Sequence, residues 1–554
     1  VVSISLSAIR RCLRLAILLA NLAASPFPLS RVQAQTTQSP DDLRASGGRL
    51  VLVLPFDNHS GQTNLSWISD SFPYILDQRL NSAGFLTIAK EDRQFALDHL
   101  GLPPDLRPTH ATILRVAQQL DADYVIVGSF TVTGAGTAAQ IQVQAQVLEV
   151  NRLRLSKPLE ATAQLPQLFD AENTIAWKVA RQINPRFAVA EETFLRAAGG
   201  VKLSSFENYI RGTSAPTQEE RLKRLQAAVA ETPGYTAALL ALGKEQYAAL
   251  QFDNAAATLA KIPASDRLAL EADFYSGLAH FNSAQYAEAA SAFAFVASRL
   301  PLPEVVNDQA VASSRQGRDA VPLFRRAVTA DPNDADYHFN LAVALLRHSD
   351  IAAAIPEAEA AVKLRPTDTE AAQLLSRLNA TRGATSSLKS IVNANGFDPL
   401  ERIRRTWSEA SFRQAAFQLD QMRAIRMATL PAVQQATEYS QLGIDYLAQG
   451  LIPEAEQEFQ SALAADPRSA AAHAGLAQVR ERTASPEEAR SEAQTSLKLA
   501  PNVPAYLVLA RLDLQTENLR ASASNVASAL RIEPTNSAAL GMKAALQSRG
   551  QSLP

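Results

Sequence analysis

The sequence predicts an α/β N-terminal domain, a mixed sheet with helices, followed by an all-α solenoid of helical repeats in two sub-arrays. Three observations predict it. In the second half Pro332 and Pro366 lie 34 residues apart, Pro467 and Pro501 again 34, and Pro534 follows after 33. A fixed period of that size marks one pair of helices per repeat. Near the start of the chain, Ile141, Val143, Ala145 and Val147 alternate with Gln140, Gln142, Gln144 and Gln146, the pattern of an antiparallel strand with one wet face. Aromatic residues are only 6% and hydrophobic residues 47%, with Ala prominent among them, a bias towards packed helices.

The 554 residues leave room for about three or four units. With 53 Lys+Arg against 55 Asp+Glu, no broad electrostatic hold on nucleic acid or anionic membrane is expected. One Cys excludes a disulfide scaffold, a Cys-based zinc site and a CxxC redox centre.

Residues 1–34 read as a signal peptide. Arg10, Arg11 and Arg14 precede an apolar run from Leu15 to Ala24, and Val32-Gln33-Ala34 puts small residues where a signal peptidase reads. The run is shorter than the ~20 residues of a spanning helix. Cleavage is expected between Ala34 and Gln35, carrying Cys12 away; an uncleaved anchor is the alternative. The chain is therefore expected to be periplasmic or extracytoplasmic, with no integral membrane span after cleavage and at most a peripheral association with the envelope. Residues 35–48 are polar and turn-rich, a linker.

Residues 49–185 carry the α/β pattern. Arg49–Phe56 is an apolar run that reads as a buried strand. Asp57-Asn58-His59-Ser60-Gly61-Gln62 reads as a loop. A helix is expected over Leu65–Leu80, a short strand over Phe85–Ala89, and helices over Glu91–Leu100 and Thr109–Leu120, the second capped by Thr109. Asp123–Val132, Ala139–Leu148 and Leu155–Ala163 follow as strands, and Phe169–Ile183 closes as a helix. Gly128, Gly134 and Gly136 read as bulge or turn residues. The stretch Leu54-Pro55-Phe56-Asp57-Asn58, the helix with Trp67 and Phe72, and the strand Ala122-Asp123-Tyr124-Val125-Ile126-Val127-Gly128-Ser129 resemble the N-terminal domain of TolB and the related FlgO and CsgG-type domains. The resemblance covers about a quarter of the chain. No β-propeller blade pattern accompanies it, so TolB's own partners are not implied.

Residues 206–378 and 433–550 carry the helix pairs, and their 34-residue period resembles the tetratricopeptide repeat. In the unit 436–469, Tyr439, Leu442-Gly443 and Tyr446 are followed by Ala455, Phe459, Ala462 and Pro467, matching the family pattern at nearly every position. The unit 335–368 has Leu341-Ala342, Leu345, Ala354, Ala358, Ala361 and Pro366. Small residues let paired helices approach, larger ones fill the space between pairs, and the proline ends the second helix. Looser units start at 236, 270, 302, 470 and 503; the 302 unit has a weak first helix, 206–233 an irregular opening and 538–547 a capping helix. Residues 379–432 interrupt the array as a linker and a non-standard helical insert, with a long helix expected over Leu400–Ala428; a degenerate repeat is the alternative.

A solenoid of this family implies a groove along its first helices. The residues expected to line it for a protein partner, as a peptide or a helix, are Lys244, Tyr247, Phe274, Asn282, Phe339, Val343, Leu346, Leu507, Arg511 and Leu514. Phe274 and Phe339 equally suit repeat core. Family members that clamp chaperone C-termini use Lys and Asn on successive first helices; Ser440, Ile444 and Ala474 stand there instead, so that ligand is not implied.

No G-x-G-x-x-G, P-loop or nucleophile elbow is present, and none of the seven His residues pairs as H-x-x-x-H. No cofactor, metal or catalytic residue is expected. The chain reads as an exported, non-enzymatic interaction scaffold of the cell envelope. The alternatives are a ligand sensor, in which the α/β domain binds a small molecule at loop 57–64 and the array relays it, and a substrate-presenting subunit of an envelope enzyme.

Overall fold

The computed structural model describes residues 50–101, 109–196, 200–380, 397–405, 407, 422–423, 425–448 and 450–554. The expected signal peptide, the linker 35–48 and most of the insert helix expected over Leu400–Ala428 lie outside the described residues. Residues 50–554 group as one unit.

The α/β region is a seven-stranded mixed sheet. Strands β1 (Leu50–Val53), β2 (Asp57–Asn58), β3 (Leu86–Thr87) and β4 (Tyr124–Thr133) form its parallel part: β1 lies between β3 and β4, and β2 also pairs with β4. Strands β5 (Gln140–Glu149), β6 (Arg154–Leu155) and β7 (Leu159–Gln164) form the antiparallel part, with β5 registered on β4 from Tyr124↔Glu149 to Thr133↔Gln140. Ile141, Val143, Ala145 and Val147 are buried while Gln140, Gln142 and Gln144 are exposed, as the alternation predicts. Asp57–Asn58 is a strand and not the loop its composition suggests, because its backbone joins the edge offered by Ser129–Phe130.

Successive strand residues face opposite sides. Val51 and Val53 meet helices α1 (Trp67–Ser82) and later Leu168–Ile183, while Leu52 and Leu54 meet Lys90–His99 and His110–Gln119. Thr109 caps the last of these helices, accepting from Thr112 N–H. Gly128 is not a bulge residue: it pairs with Ala145 in unbroken register. A Cβ there would lie 2.3 Å from Phe56 Cε2, so the missing side chain makes room for Phe56, which stacks on Phe72 at 4.2 Å between centroids.

The sheet's helical layer and the start of the array share one core. Trp67 meets Phe206 at 6.0 Å and Tyr74 meets Tyr209 at 5.0 Å. Within this layer Glu172 is fully buried and hydrogen-bonded to Ser71. Loss of hydration pushes its carboxyl up to about 8, against the opposing pull of Ser71 and Arg79.

From Leu203 onward the described chain is helical apart from its turns, residues 397–405 and 407, and the last four residues, 551–554. Where 206–233 reads as irregular, the helices Leu203–Ser214 and Gln218–Glu231 form a complete pair. The weak first helix of the 302 unit is also a full helix, Pro303–Arg315. It lacks the usual Leu-Gly signature, yet Val305, Val306, Ala310 and Val311 supply an equivalent buried face. In the units that start at 236, 270, 302 and 335, and in those at 436, 470 and 503, the link between the two helices passes through one left-handed residue: Leu250, Ala284, Gly317 and Ser349 in the first stretch, Gly450, Ala484 and Glu517 in the second. Phe459 shows how units interlock. A Cβ on Gly443 of its own unit or on Gly475 of the next would come within 2.6 or 2.2 Å of its ring. The same unit returns to the α/β side: buried Glu456 accepts from Ala190 N–H at 3.2 Å and pairs with Arg480 at 2.7 Å.

The expected helix over Leu400–Ala428 is corrected at its start. Residues 400–405 have no helical structure; their backbone groups bond to side chains of the array.

Two predictions follow from this packing. Phe459→Ala should cost roughly 3–5 kcal/mol, felt as faster amide exchange in residues 432–499 with residues 236–364 unchanged, since repeats couple to neighbours. For Glu172, a carboxyl whose pKa is raised on folding contributes stability that is full at low pH and falls as pH rises from its ordinary value of 4.5 to about 8. Glu172→Gln should flatten that decline in urea melts taken across this window.

Candidate functional site

The first helices of three successive units, Pro303–Arg315, Ala335–Arg347 and Thr369–Ala380, share a face. Residues Phe397–Arg405 lie along it without regular structure. The contact centres on the backbone of Arg402. Asn340 Nδ2 donates to Arg402 O at 2.7 Å, and Arg402 N–H donates to Asn340 Oδ1 at 2.6 Å. Asn307 Nδ2 reaches the same carbonyl at 3.1 Å, while Asn340 Nδ2 also donates to Asn307 Oδ1 at 2.8 Å. Two residues on, Arg404 N–H donates to Asp308 Oδ1 at 2.8 Å. Asn307, Asp308 and Asn340 are buried. A segment without regular structure has no hydrogen-bond ladder of its own, and buried amide side chains must be paired; each supplies what the other lacks.

Charge fixes the register. The Arg402 guanidinium meets Asp336 at 2.9 Å, Asp368 at 2.5 Å and Glu370 at 2.8 Å, and lies 3.8 Å above the Phe339 ring. Hydrogen bonds from Arg402 hold the Asp368 carboxyl below its ordinary range. Burial alone would raise Asp336, but Arg365 and Arg402 outweigh it and hold Asp336 low as well. On the other side of the clamp, Glu401 is buried and pairs with Arg347 at 2.9 Å and Arg315 at 3.8 Å. Arg404 pairs with Asp334. Burial pushes Asp308 well above the ordinary carboxylate range.

The residues expected to line a groove fall in three places. Phe339 lies under Arg402, and Phe274 packs on Trp407 with centroids 5.3 Å apart. Val343 and Leu346 belong to the buried cluster against which Phe397 and Ile403 pack. Lys244, Tyr247 and Asn282 form a neighbouring polar group: Lys244 pairs with Glu271 at 2.7 Å, and Asn282 lies 3.4 Å from the Tyr247 hydroxyl. The C-terminal residues are not gathered with these. Leu507 packs with Val503, Ala529 and Ala539, Leu514 against Ala510, Ala523, Val526 and Leu546, and Arg511 pairs with Glu481 at 2.5 Å.

The face differs in character from the apolar groove the sequence suggests. Its central contacts are amide and carboxylate groups, above all Asn307, Asp308, Asn340 and Asp336, which sequence reasoning passed over. A signal was present: Asn307 and Asn340 stand 33 residues apart, at one register of consecutive units, within helical stripes that are otherwise apolar.

In the α/β region, the turn that follows β2 is closed by the Asn58 side chain. Asn58 accepts from Ser60 N–H at 2.9 Å and donates to Gln62 O at 3.0 Å. Among the described residues no group of three or more His, Cys, Asp or Glu could hold a metal ion, and no helix is long and apolar enough to cross a membrane.

A profile of the tetratricopeptide repeat matches residues 309–369 and 440–504. The chain carries tetratricopeptide repeats. One stretch lies on each side of the insert, and the first includes Asn340. No curated protein matches the chain. Among solved structures it is similar to YrrB, described as a TPR protein with an unusual peptide-binding site, at 16% identity and TM-score 0.27, covering 30% of this chain and 89% of that one. It is similar to the C-terminal domain of LpoB from Salmonella enterica at 21% identity and TM-score 0.18, covering 21% and 83%. The TPR2AB domain of yeast Sti1, in a complex with pHSP90, matches at 15% identity and TM-score 0.20, covering 51% and 98%.

Asn340→Ala would leave the Arg402 N–H without its partner, leave the Arg402 carbonyl with Asn307 Nδ2 alone, and leave Asn307 Oδ1 without its donor. Unpaired buried groups cost about 1–3 kcal/mol. Amide exchange at Arg402 should accelerate at least tenfold in the variant, with the amides of Ala470–Arg482 unchanged.

Proposed function

We propose that this protein is an exported, non-enzymatic interaction scaffold of the bacterial cell envelope. Partner proteins bind it as extended segments across the first-helix face of residues 303–380. One observation carries the reading: that face already holds a non-helical stretch of polypeptide by its backbone, through Asn307 and Asn340. Main-chain hydrogen bonds supply affinity for any extended chain, while side-chain sites supply the choice among chains. The basic and apolar pattern of residues 1–34 supports export, and the likeness of residues 49–185 to TolB-type domains supports an envelope setting. The α/β region, joined to the array through the shared core around Phe206 and Tyr209, serves as the fixed base from which the array projects its binding face.

The full chain, immobilised and exposed to detergent-solubilised envelope, should retain a protein in stoichiometric amount. An excess of the synthetic peptide Phe397–Arg405 should release it. Failure to retain such a protein, or retention that the peptide leaves untouched, would overturn the reading.

A further inference from the structure

The segment seated on the repeats is part of the chain itself, and its chemistry describes what the face selects. Resting on the scaffold reading above, we propose that residues 397–405 are a tethered ligand. The face made by Asn307, Asp308, Asp336, Asn340, Arg347 and Asp368 is a receptor for an extended peptide carrying an acid followed by Arg-apolar-Arg. The chain's own copy keeps it occupied until a partner peptide of that chemistry displaces it.

Three features separate this from a structural strut. First, the hold is on the main chain. Asn340 reads both the N–H and the C=O of Arg402, and Asp308 reads the N–H of Arg404. Such a clamp accepts any extended chain in the right register, from this protein or another. Second, the charged contacts are directional. An acid-binding pair, Arg315 and Arg347, precedes an Arg-binding group, Asp336, Asp368 and Glu370, so the order Glu401-Arg402 fits and the reverse order does not. Third, the apolar contribution is modest: Phe397 and Ile403 lie against an array core that is already closed by Leu341, Leu345 and Leu374. The array therefore keeps its own core when the segment leaves, while the buried amides and carboxylates are left seeking a replacement of the same kind.

A ligand on the same chain competes at an effective concentration on the order of mM. A free peptide must overcome that, so the apparent affinity of the unaltered chain is far below the intrinsic affinity of the face. Substitutions in the clamp weaken the tethered and the free peptide together. Substitutions in the tethered segment weaken only the competitor, and they therefore carry the test.

The probe is a fluorescently labelled peptide of residues 397–405 (FDPLERIRR), titrated against the full chain and read by anisotropy. With Arg402→Ala and Arg404→Ala in the full chain, binding should be at least tenfold tighter than with the unaltered chain. Adding Asn307→Ala and Asn340→Ala to that variant should abolish it. As a second variant, Asp336→Arg with Asp368→Arg should reject this peptide and accept one with Glu at the Arg402 position. Circular dichroism confirms that each chain keeps its helices. Equal affinity for the unaltered chain and the Arg402→Ala/Arg404→Ala chain would leave the scaffold reading standing and overturn the tethered block. Failure of the 397–405 peptide to bind the Arg402→Ala/Arg404→Ala chain, together with failure of the Glu-substituted peptide to bind the charge-reversed chain, with helices intact, would overturn the proposal even where an envelope protein is retained. Tight peptide binding in the cis-weakened variant with no envelope protein retained would support the tethered ligand and count against the scaffold reading alone.

Discussion

A helix pair in this array has no interior of its own. It can remove its apolar stripe from water only by lending it to the next pair, and the rest of the architecture depends on that constraint. Phe459 is its most concentrated expression: one ring fills the space left by two glycines, Gly443 behind it and Gly475 ahead. The α/β region obeys the same requirement, since its helical layer ends at Phe206 and Tyr209 and not at a solvated surface. What the stacking leaves over is the first-helix face, where buried positions need not be apolar provided something polar pairs with them.

Asn307, Asp308 and Asn340 occupy that allowance. Each sits on a buried stripe where Leu or Ala would pack at lower cost, and each bonds to main-chain groups of a distant segment. Buried amides that pair with backbone impose register without demanding a particular side chain, and the acidic and basic groups flanking them then discriminate. Glu456 and Arg480 do a related task elsewhere, tying the second stretch of repeats to the Ala190–Thr193 region by a buried ion pair with hydrogen-bonded neighbours. Buried pairs of this kind add little net stability against an apolar replacement, but they penalise every arrangement in which one partner is missing.

Much of the fold was legible. The proline period, the small residues at the helix contacts and the Gln/apolar alternation of β5 each encode a local rule with a fixed repeat distance. Errors arose where a local signal was outweighed by a distant partner. Asp57–Asn58 has loop composition but meets the open edge of β4. Gly128 looks like a bulge until Phe56 is seen above it. The Pro303–Arg315 helix lacks the family signature yet carries its burial pattern. Of the expected groove residues, Phe274, Phe339, Val343 and Leu346 converge on the occupied face, whereas Leu507, Arg511 and Leu514 do not join them.

Sequence alone determined the class of architecture: a mixed sheet with helices, then helix pairs at a 34-residue period in two stretches. Those properties follow from periodicity and backbone stereochemistry, which act over a few residues. Only the tertiary structure decided that residues 397–405 lie on the repeats without helical structure. Residues 400–405 read as the start of a helix, and the hydrogen bonds that replace the helix come from Asn307, Asp308 and Asn340, which stand 95, 96 and 62 residues from the groups they bond. A chain cannot announce in its local pattern a conformation whose backbone partners are side chains of another unit.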